Sequence, residues 1–485
     1  MKKLVKMVAV LATALVLLAG CASTSKADGS DDTKTAKTEK SKKAKKGKYD
    51  QAAFDAAFKS GDFETCIGML ESRGSDQILT ELDSSMLQYL KKDYAASGRE
   101  FVQTQADMQQ VSKDQTAGKA MEAALIGENS VTYSGTTYER ILAYSMKAVN
   151  ALKMGRVDNA VGVMNEYTGN YKDEIAALVQ QQKETAQSSE GIVNDPKVTT
   201  ATDALGKAGF SVPFEELVKE APAASSAVYD ASPFLAYLGT LTYAANGDAV
   251  HAKDFASVLK STKASVDVSE DLAVPAGKGR LDVIALSDVI GKRTDAGKIK
   301  QIAAVGDVIL NFKLAYPAFE AQNHGISVSK VTLSNGASEK FTLIEDFDEA
   351  VKIDVASKAK GAYNRSLFRN ITKNSAAVVA GAAALGSAQE QVQKATNPIQ
   401  AKAAAKAYEI AVENINKGVT AVVEAEKADV RQAAYFPNKA SAAGFTVEPG
   451  TYTVTVEYSN GKKDVIPNVT VAAGKPTVVV SECMN

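Results

Sequence analysis

Apolar residues recur at helical spacing over residues 49–262, and this pattern predicts helices separated by short turns. Three segments of the region align when Gly61, Lys92 and Gly155 are superposed, and a fourth candidate begins at Gly247. In the first three segments, counted from Gly61, Lys92 and Gly155, a small residue occupies the sixth position and a large apolar residue lies four positions later. The small residues are Cys66, Ser97 and Ala160, and the large ones are Leu70, Phe101 and Met164.

Small residues allow paired helices to approach closely, and the large residues fill the space between successive pairs. Stacked helix pairs of this kind bury a continuous core and leave a concave surface. The spacing from Gly61 to Lys92 is near the ~34-residue period of tetratricopeptide repeats, whereas the later spacings are longer. Residues 49–262 therefore resemble a tetratricopeptide-like (TPR-like) helical array. An irregular helical bundle without a peptide groove is the alternative.

The periodicity changes after residue 262. Residues 280–286 and 328–333 are rich in β-branched side chains and predict buried strands, and Asn335-Gly336 predicts a tight turn before a returning strand. These features indicate a mixed strand/helix domain over residues 263–375.

An acidic cluster at residues 345–349 opens the next predicted helix. Carboxylates in a first helical turn are favoured by capping and by the helix dipole, and the cluster lacks the spacing of a calcium loop. We therefore interpret it as a helix start rather than as a cation site.

Alanine dominates the segment 376–435, where two helices are predicted on either side of Asn397-Pro398. Its apolar run is shorter than the ~20 residues that span a membrane. Because Gly and Ala allow close helix contact, the pattern predicts a buried helical pair, and membrane insertion is the alternative.

The last part of the chain alternates apolar and polar residues around Pro449-Gly450 and Asn460-Gly461, as antiparallel strands do. It predicts a small antiparallel β-sandwich over residues 436–485, whose edge strands are able to add to a partner's sheet. The fold class that follows is multidomain and mainly α: a TPR-like array, a mixed α/β region, an Ala-rich helical pair and the β-sandwich.

Composition restricts the possible functions. Of 485 residues, 45% are hydrophobic, which is enough for buried cores, and 56 Lys and Arg against 57 Asp and Glu give a net charge of −1. No overall attraction to nucleic acid follows, and no nucleic-acid partner is predicted. His251 and His324 are the two histidines of the sequence, so neither a His-rich metal site nor a cofactor is predicted.

The N-terminus has the layout of a secretory signal. Lysines precede an apolar run that ends in Leu18-Ala19-Gly20-Cys21. The sequence resembles a bacterial lipoprotein precursor, which implies a signal peptide over 1–20, lipidation (palmitate) of Cys21, and a membrane anchor. A chance cysteine or a membrane helix is the alternative, but the run is shorter than a ~20-residue span. Residues 21–48 contain no large apolar side chain and predict a disordered basic tether.

Two other cysteines remain, Cys66 and Cys483. A disulfide requires their Cα atoms to lie within ~4.4–6.8 Å, which the sequence does not establish. Cys66 lies among apolar residues of a predicted helix, so we favour a free, buried thiol over a disulfide.

The segments 128–135 and 138–142, with the long helix that follows, resemble a family of uncharacterised bacterial lipoproteins with TPR-like repeats and a small C-terminal β module. In that family an acidic-aromatic stretch precedes a helix with basic residues, represented here by Tyr363, Arg365 and Arg369. The resemblance supplies no catalytic residues.

These observations predict an envelope lipoprotein that acts as a non-enzymatic protein-interaction scaffold and holds an envelope protein partner. The absence of Asp after Cys21 favours the outer membrane where the organism has two membranes. The alternatives are a hydrolase or small-ligand-binding protein with a site around His324, Asp346 and Arg369, and a regulator of cell-wall or surface-polymer assembly.

Overall fold

The computed structural model describes residues 49–485 with the exception of Ser75 and Asn323. The predicted signal peptide, lipidation site Cys21 and tether lie outside the described residues. Within the described part, 56% is helical and 19% is strand, so the fold is mixed: a helical region is followed by a C-terminal β region.

Helices account for most of the region before residue 273. In chain order they are α1 (Gln51–Ser60), α2 (Phe63–Leu70), α3 (Gln77–Leu90), α4 (Tyr94–Asp114), α5 (Ala117–Ile126), α6 (Thr137–Lys153), α7 (Val157–Glu166), α8 (Lys172–Gly191), α9 (Pro196–Lys207), α10 (Phe214–Lys219), α11 (Pro233–Asn246), α12 (Ala249–Ser261) and α13 (Ser269–Leu272). Two long helices follow later, α14 (Phe347–Lys394) and α15 (Pro398–Ala425).

Four pairs of these helices form hairpins with the same turn: α1–α2, α3–α4, α6–α7 and α11–α12. The residues at the turns all have left-handed φ angles, between +68° and +84°, and they are Gly61, Lys92, Gly155 and Gly247. This conformation favours glycine, so Lys92 is the strained member of the set. The small residues at the sixth position, including Ala252 of the fourth hairpin, are fully buried, as are Phe101 and Met164, and Leu70 is almost fully buried.

The strands form two four-stranded sheets and two smaller ladders. They are β1 (Gly279–Val289), β2 (Lys292–Asp295), β3 (Ile299–Val305), β4 (Val308–Lys313), β5 (Pro317–Glu320), β6 (Val328–Leu333), β7 (Ser338–Lys340), β8 (Thr342–Asp346), β9 (Pro437–Val447), β10 (Gly450–Tyr458), β11 (Lys463–Val471) and β12 (Pro476–Cys483). The first sheet has the order β12-β1-β9-β8 and the second β11-β10-β6-β7.

Each large sheet combines strands from the predicted middle domain with strands from the predicted C-terminal module. β1 pairs in parallel with β12 and antiparallel with β9, and β10 pairs with β6. The strands of 436–485 therefore complete sheets begun before residue 347, and they do not form a separate sandwich.

The first sheet is buried on both faces. Along β1, Leu281 and Val283 pack in the core between the two sheets, whereas Ile284 and Leu286 pack against the helices. Helices α6 and α11 contact β12 and are buried along nearly their whole length. The protein's own sheet thus covers the inner side of the helical region.

The C-terminus also ties the helices to the sheet through polar contacts. Lys153 of α6 lies 2.8 Å from the Glu482 carboxylate and donates to the Val480 carbonyl, and the Tyr89 hydroxyl donates to Glu482 at 3.0 Å. Removal of the helical region would expose this sheet face.

The predicted Ala-rich pair of 376–435 corresponds to the second part of α14 packed against α15. The first helix of the pair begins at Phe347, well before the predicted segment, so it also belongs to the predicted middle domain. A Cβ atom on Gly381 would overlap Ile415, so the close approach at this point requires glycine. The outer faces are exposed near the connection, at Val392 and Ile399 for example, so the pair is buried on one side alone. No helix among the described residues combines the length and the hydrophobicity needed to cross a membrane.

The edge strands of the second sheet are poor templates for an added strand. β11 contains Pro467, which lacks an N–H group, and Asn468 has a φ of +58°. β7 has three residues, including Lys340. Such features protect sheet edges from further pairing.

Cys66 and Cys483 are both free and buried, which confirms the interpretation as small apolar residues. Cys66 packs in the core of the helical region, and Cys483 packs between the two sheets. The first sheet separates the two cores.

Candidate functional site

A cavity of about 240 Å³ lies between α8, α14, the loop that precedes α6 and the extended segment 222–231. We call that segment the strap. Charged side chains from five parts of the chain line the cavity: Glu128, Lys183, Arg293, Lys358, Arg365, Asp429 and Arg431. Between them are hydroxyl and amide groups, including Thr132, Ser134, Thr137, Gln181, Gln182, Ser226 and Ser357.

The loop before α6 is held by a capping box. The Thr136 hydroxyl accepts from the Glu139 N–H, and the Glu139 carboxylate accepts from the Thr136 N–H at 2.7 Å, which satisfies two N–H groups at the helix start. Glu139 also accepts from the Tyr133 hydroxyl and from the Ala433 N–H. One buried carboxylate therefore fixes both this loop and the segment that follows α15.

Arg365 and Arg369 project from successive turns of α14 onto Glu128. Arg365 binds both Glu128 oxygens, at 2.9 and 2.7 Å, and Arg369 binds one of them at 2.9 Å and also Glu426. All four side chains are buried. The result is a charge-balanced network in which each guanidinium has a carboxylate in hydrogen-bonding geometry.

A second group of charges is built around Arg293 and Arg431. The buried Arg293 of β2 pairs with Asp354, which also binds Lys358 at 2.8 Å. Arg431 donates to both oxygens of Asp429 at 2.8 and 2.9 Å. Burial acts to raise the pKa of Asp429, but the hydrogen bonds and charge of Arg431, with the charge of Arg293, hold it below its ordinary value. Asp429 therefore stays ionised.

Cationic side chains outnumber carboxylates in the lining of the cavity, five against two. Two further carboxylates lie just outside it: Asp354 pairs with Arg293 and Lys358, and Asp76 pairs with Arg431 at 3.0 Å. The buried Nε atom of Arg293, which lines the cavity, has no hydrogen-bond partner in the described structure. The Arg293 guanidinium lies 6.0 Å from the centroid of the Tyr138 ring.

The strap closes one side of the cavity. Among the described contacts, its main chain forms no hydrogen bond with the main chain of another element. Near its end, Tyr229 donates to the buried Glu345 carboxylate, and Ser232 and the Phe234 N–H donate to the same group at 2.6 and 2.9 Å. Burial raises the pKa of Glu345 to about 7 despite these hydrogen bonds. The strap is therefore anchored chiefly at one end.

His324, Asp346 and Arg369 do not form one site. His324 is half exposed and lies 2.9 Å from Asp288. Asp346 caps α14 by accepting from the Asp348 N–H, and Arg369 lies on the same helix roughly 34 Å further along at 1.5 Å per residue. Arg369 is the member of this set that lies near the cavity, through its contact with Glu128.

The acidic cluster 345–349 is confirmed as a helix start. Its carboxylates diverge: Glu345 accepts from Tyr229 of the strap, Asp346 is the cap, and Asp348 accepts from the Gly291 N–H at 2.6 Å. In the described part of the chain, no group of His, Cys, Asp and Glu is arranged to hold a metal ion.

His251 is a satisfied surface residue. Its ring lies 2.6 Å from Asp248 and stacks on Tyr243. It therefore contributes to the turn of the fourth hairpin.

The sequence does not predict the cavity. The segment 128–135 and Arg365 of α14, which carry the family resemblance, contribute to its lining, whereas Lys183, Arg293, Asp429 and Arg431 have no part in the sequence analysis. The available signal was a charged pair, Asp429 and Arg431, directly after a long helix, and an arginine in a short strand.

The cavity offers hydrogen-bond donors, cationic side chains and two carboxylates, Glu128 and Asp429, which are held in ion pairs with Arg365 and Arg431. No histidine or cysteine is among its lining residues. Comparison of the chain with protein families, with curated proteins and with solved structures finds no match.

Proposed function

We propose that this protein is a non-enzymatic, membrane-anchored binding protein of the cell envelope that holds a protein partner at the mouth of the cavity. The observation that carries the proposal is the cavity itself, with many hydrogen-bond donors and with both of its lining carboxylates held in ion pairs with arginines. The lipoprotein-like N-terminus supplies the anchor and the address, and the resemblance to TPR-like lipoproteins favours a scaffold.

The cavity is a better candidate for the partner site than the inner side of the helical region. That side is covered by the first sheet, because α6 and α11 pack against β12. A partner that uses the helices must therefore approach from outside, where the strap and α8 frame the mouth.

A test by deletion of residues 49–262 is unsuitable, because the helices share one hydrophobic core with the first sheet. Single substitutions at the mouth of the cavity test docking there without removing part of the core. Ser226 is exposed and lines the cavity, whereas Ala223 is exposed on the same strap and does not line it.

The experiment is crosslinking in intact cells, with recovery through a C-terminal tag, of the wild type, Ser226→Trp and Ala223→Trp. We expect one envelope protein to be captured by the wild type and by Ala223→Trp and to be lost with Ser226→Trp. Capture that is equal in all three, or no capture by the wild type, would refute docking at the mouth. Turnover of a small substrate by the purified protein without a captured partner would favour an enzyme instead.

A further inference from the structure

We propose that the cavity binds an oxyanion, a carboxylate or phosphate group presented by the ligand. This inference rests on the proposed function in that it names the chemistry of the same site. Its first support is charge: Lys183, Arg293, Lys358, Arg365 and Arg431 line one small cavity. Guanidinium groups match carboxylate and phosphate geometry, so an anionic group is the natural complement.

The second support is an unpartnered donor. The Arg293 side chain is 3% exposed and its Nε–H lacks an acceptor. Buried polar groups are nearly always hydrogen-bonded, so a donor left free in a residue that lines a cavity indicates an acceptor that enters it. An oxyanion supplies several acceptor lone pairs at once.

The third support is preorganisation. Asp354 holds Arg293, Glu128 holds Arg365 and Asp429 holds Arg431, so these side chains lose little freedom when a ligand binds. Lys183 at the mouth is exposed and has no recorded partner within the described residues. It is therefore the cation that is most available to an incoming anion.

The size of the cavity restricts the ligand. At about 240 Å³ it is smaller than the ~300–1,000 Å³ typical of drug-sized ligands. It accommodates a side chain, a chain terminus or a small anion rather than a folded element. The structure thus assigns it to the anionic group of a ligand and not to the whole of a large one.

The test is isothermal titration calorimetry of the full-length protein in non-ionic detergent, at constant ionic strength, with inorganic phosphate and with glutarate as probes. The variant Lys183→Glu reverses a charge at the mouth, and Lys172→Glu makes the same change elsewhere on α8. Neither lysine has a partner in the recorded contacts of the described chain, so folding should be preserved. We expect saturable binding that is about tenfold weaker in Lys183→Glu and unchanged in Lys172→Glu.

A second pair of variants checks the result. Ser226→Glu adds a negative charge at the mouth, and Ala223→Glu adds it on the strap away from the cavity. Weaker binding in Ser226→Glu alone supports the proposal. Absence of binding for both probes, or affinities equal in all variants, would overturn it.

The two probes separate the sources of the anion: binding of phosphate alone indicates a phosphorylated ligand, and binding of glutarate alone indicates a carboxylate ligand. Anion binding without a partner in the crosslinking experiment would refute the proposed function and keep the oxyanion site. If a partner is lost with Ser226→Trp but neither probe binds, the oxyanion site would be refuted and the proposed function would stand.

Discussion

Glu128 is the residue on which the buried charge network depends most directly. It is the shared acceptor of Arg365 and Arg369, and Glu426 is the second carboxylate of the group. Glu128→Gln keeps the shape of the side chain and removes its charge. Arg365 would then lose its carboxylate partner, because Glu426 binds Arg369, and breaking a buried pair in this way costs about 3–5 kcal/mol.

The assay is urea unfolding followed by circular dichroism, with the free energy of unfolding extrapolated to water. Glu122→Gln is the matched control, because Glu122 is exposed on the neighbouring helix α5. We expect the control to change the free energy of unfolding by less than about 0.5 kcal/mol.

A double-mutant cycle with Arg365→Met measures the interaction energy between Glu128 and Arg365 apart from the effects of each substitution on its other neighbours. In the Glu128→Gln background, Arg365→Met removes a guanidinium that has already lost its main partner. It should therefore cost about 0.5–3 kcal/mol less than in the wild type. Equal costs in the two backgrounds, or a Glu128→Gln effect no larger than that of the control, would refute the network as described.

Three further predictions concern other parts of the fold. Gly381→Ala should destabilise the protein by about 1–3 kcal/mol in urea unfolding because the added Cβ overlaps α15. Gly386→Ala, on the exposed side of the same helix, should be neutral or stabilising. Equal effects of the two substitutions would contradict the packing of α14 against α15. Glu345 binds its proton more tightly in the folded protein than in the unfolded chain. The free energy of unfolding should therefore fall by about 3 kcal/mol as the pH rises from 4.5 to 7, relative to the Glu345→Gln variant. Parallel pH profiles of the two proteins would exclude this titration. Burial raises the pKa of the Cys66 thiol to about 11 and also raises the pKa of the Cys483 thiol. Mass spectrometry should therefore find both thiols unmodified by iodoacetamide at pH 8 until urea unfolds the chain. A disulfide-linked peptide would contradict the structure.

Local chemistry made the turns and many of the strands predictable. The repeated Gly or Lys before a helix start marked four left-handed turns, and the β-branched run 328–333 coincides with β6. These elements follow from residues close together in the chain, where propensity and periodicity act.

β9 shows where this reasoning fails. Its first half has the sequence Pro-Asn-Lys-Ala-Ser-Ala-Ala-Gly, which contains no β-branched residue, yet it lies between β1 and β8. The small residues fit because bulky groups pack over them; a Cβ on Gly444 would overlap Arg280. Tertiary packing outweighs strand propensity at this position.

The cavity illustrates the same limit at greater distance. Glu128 and Arg365 were each in segments that the sequence singled out, but 237 positions separate them. The local sequence pattern of neither segment predicts a contact with the other. Their contact depends on how α14 crosses the helical region, which is set by the cores on both sides of it.

The buried ion pairs are more informative about function than about stability. Apolar residues of similar volume often stabilise a core as well as a buried pair does, because desolvation offsets the Coulomb attraction. A fold that needed strength alone would gain little from four arginines at one place. What the pairs provide is a set of guanidiniums fixed by Glu128, Asp354 and Asp429 around a cavity, and fixed donors are what an anionic ligand requires.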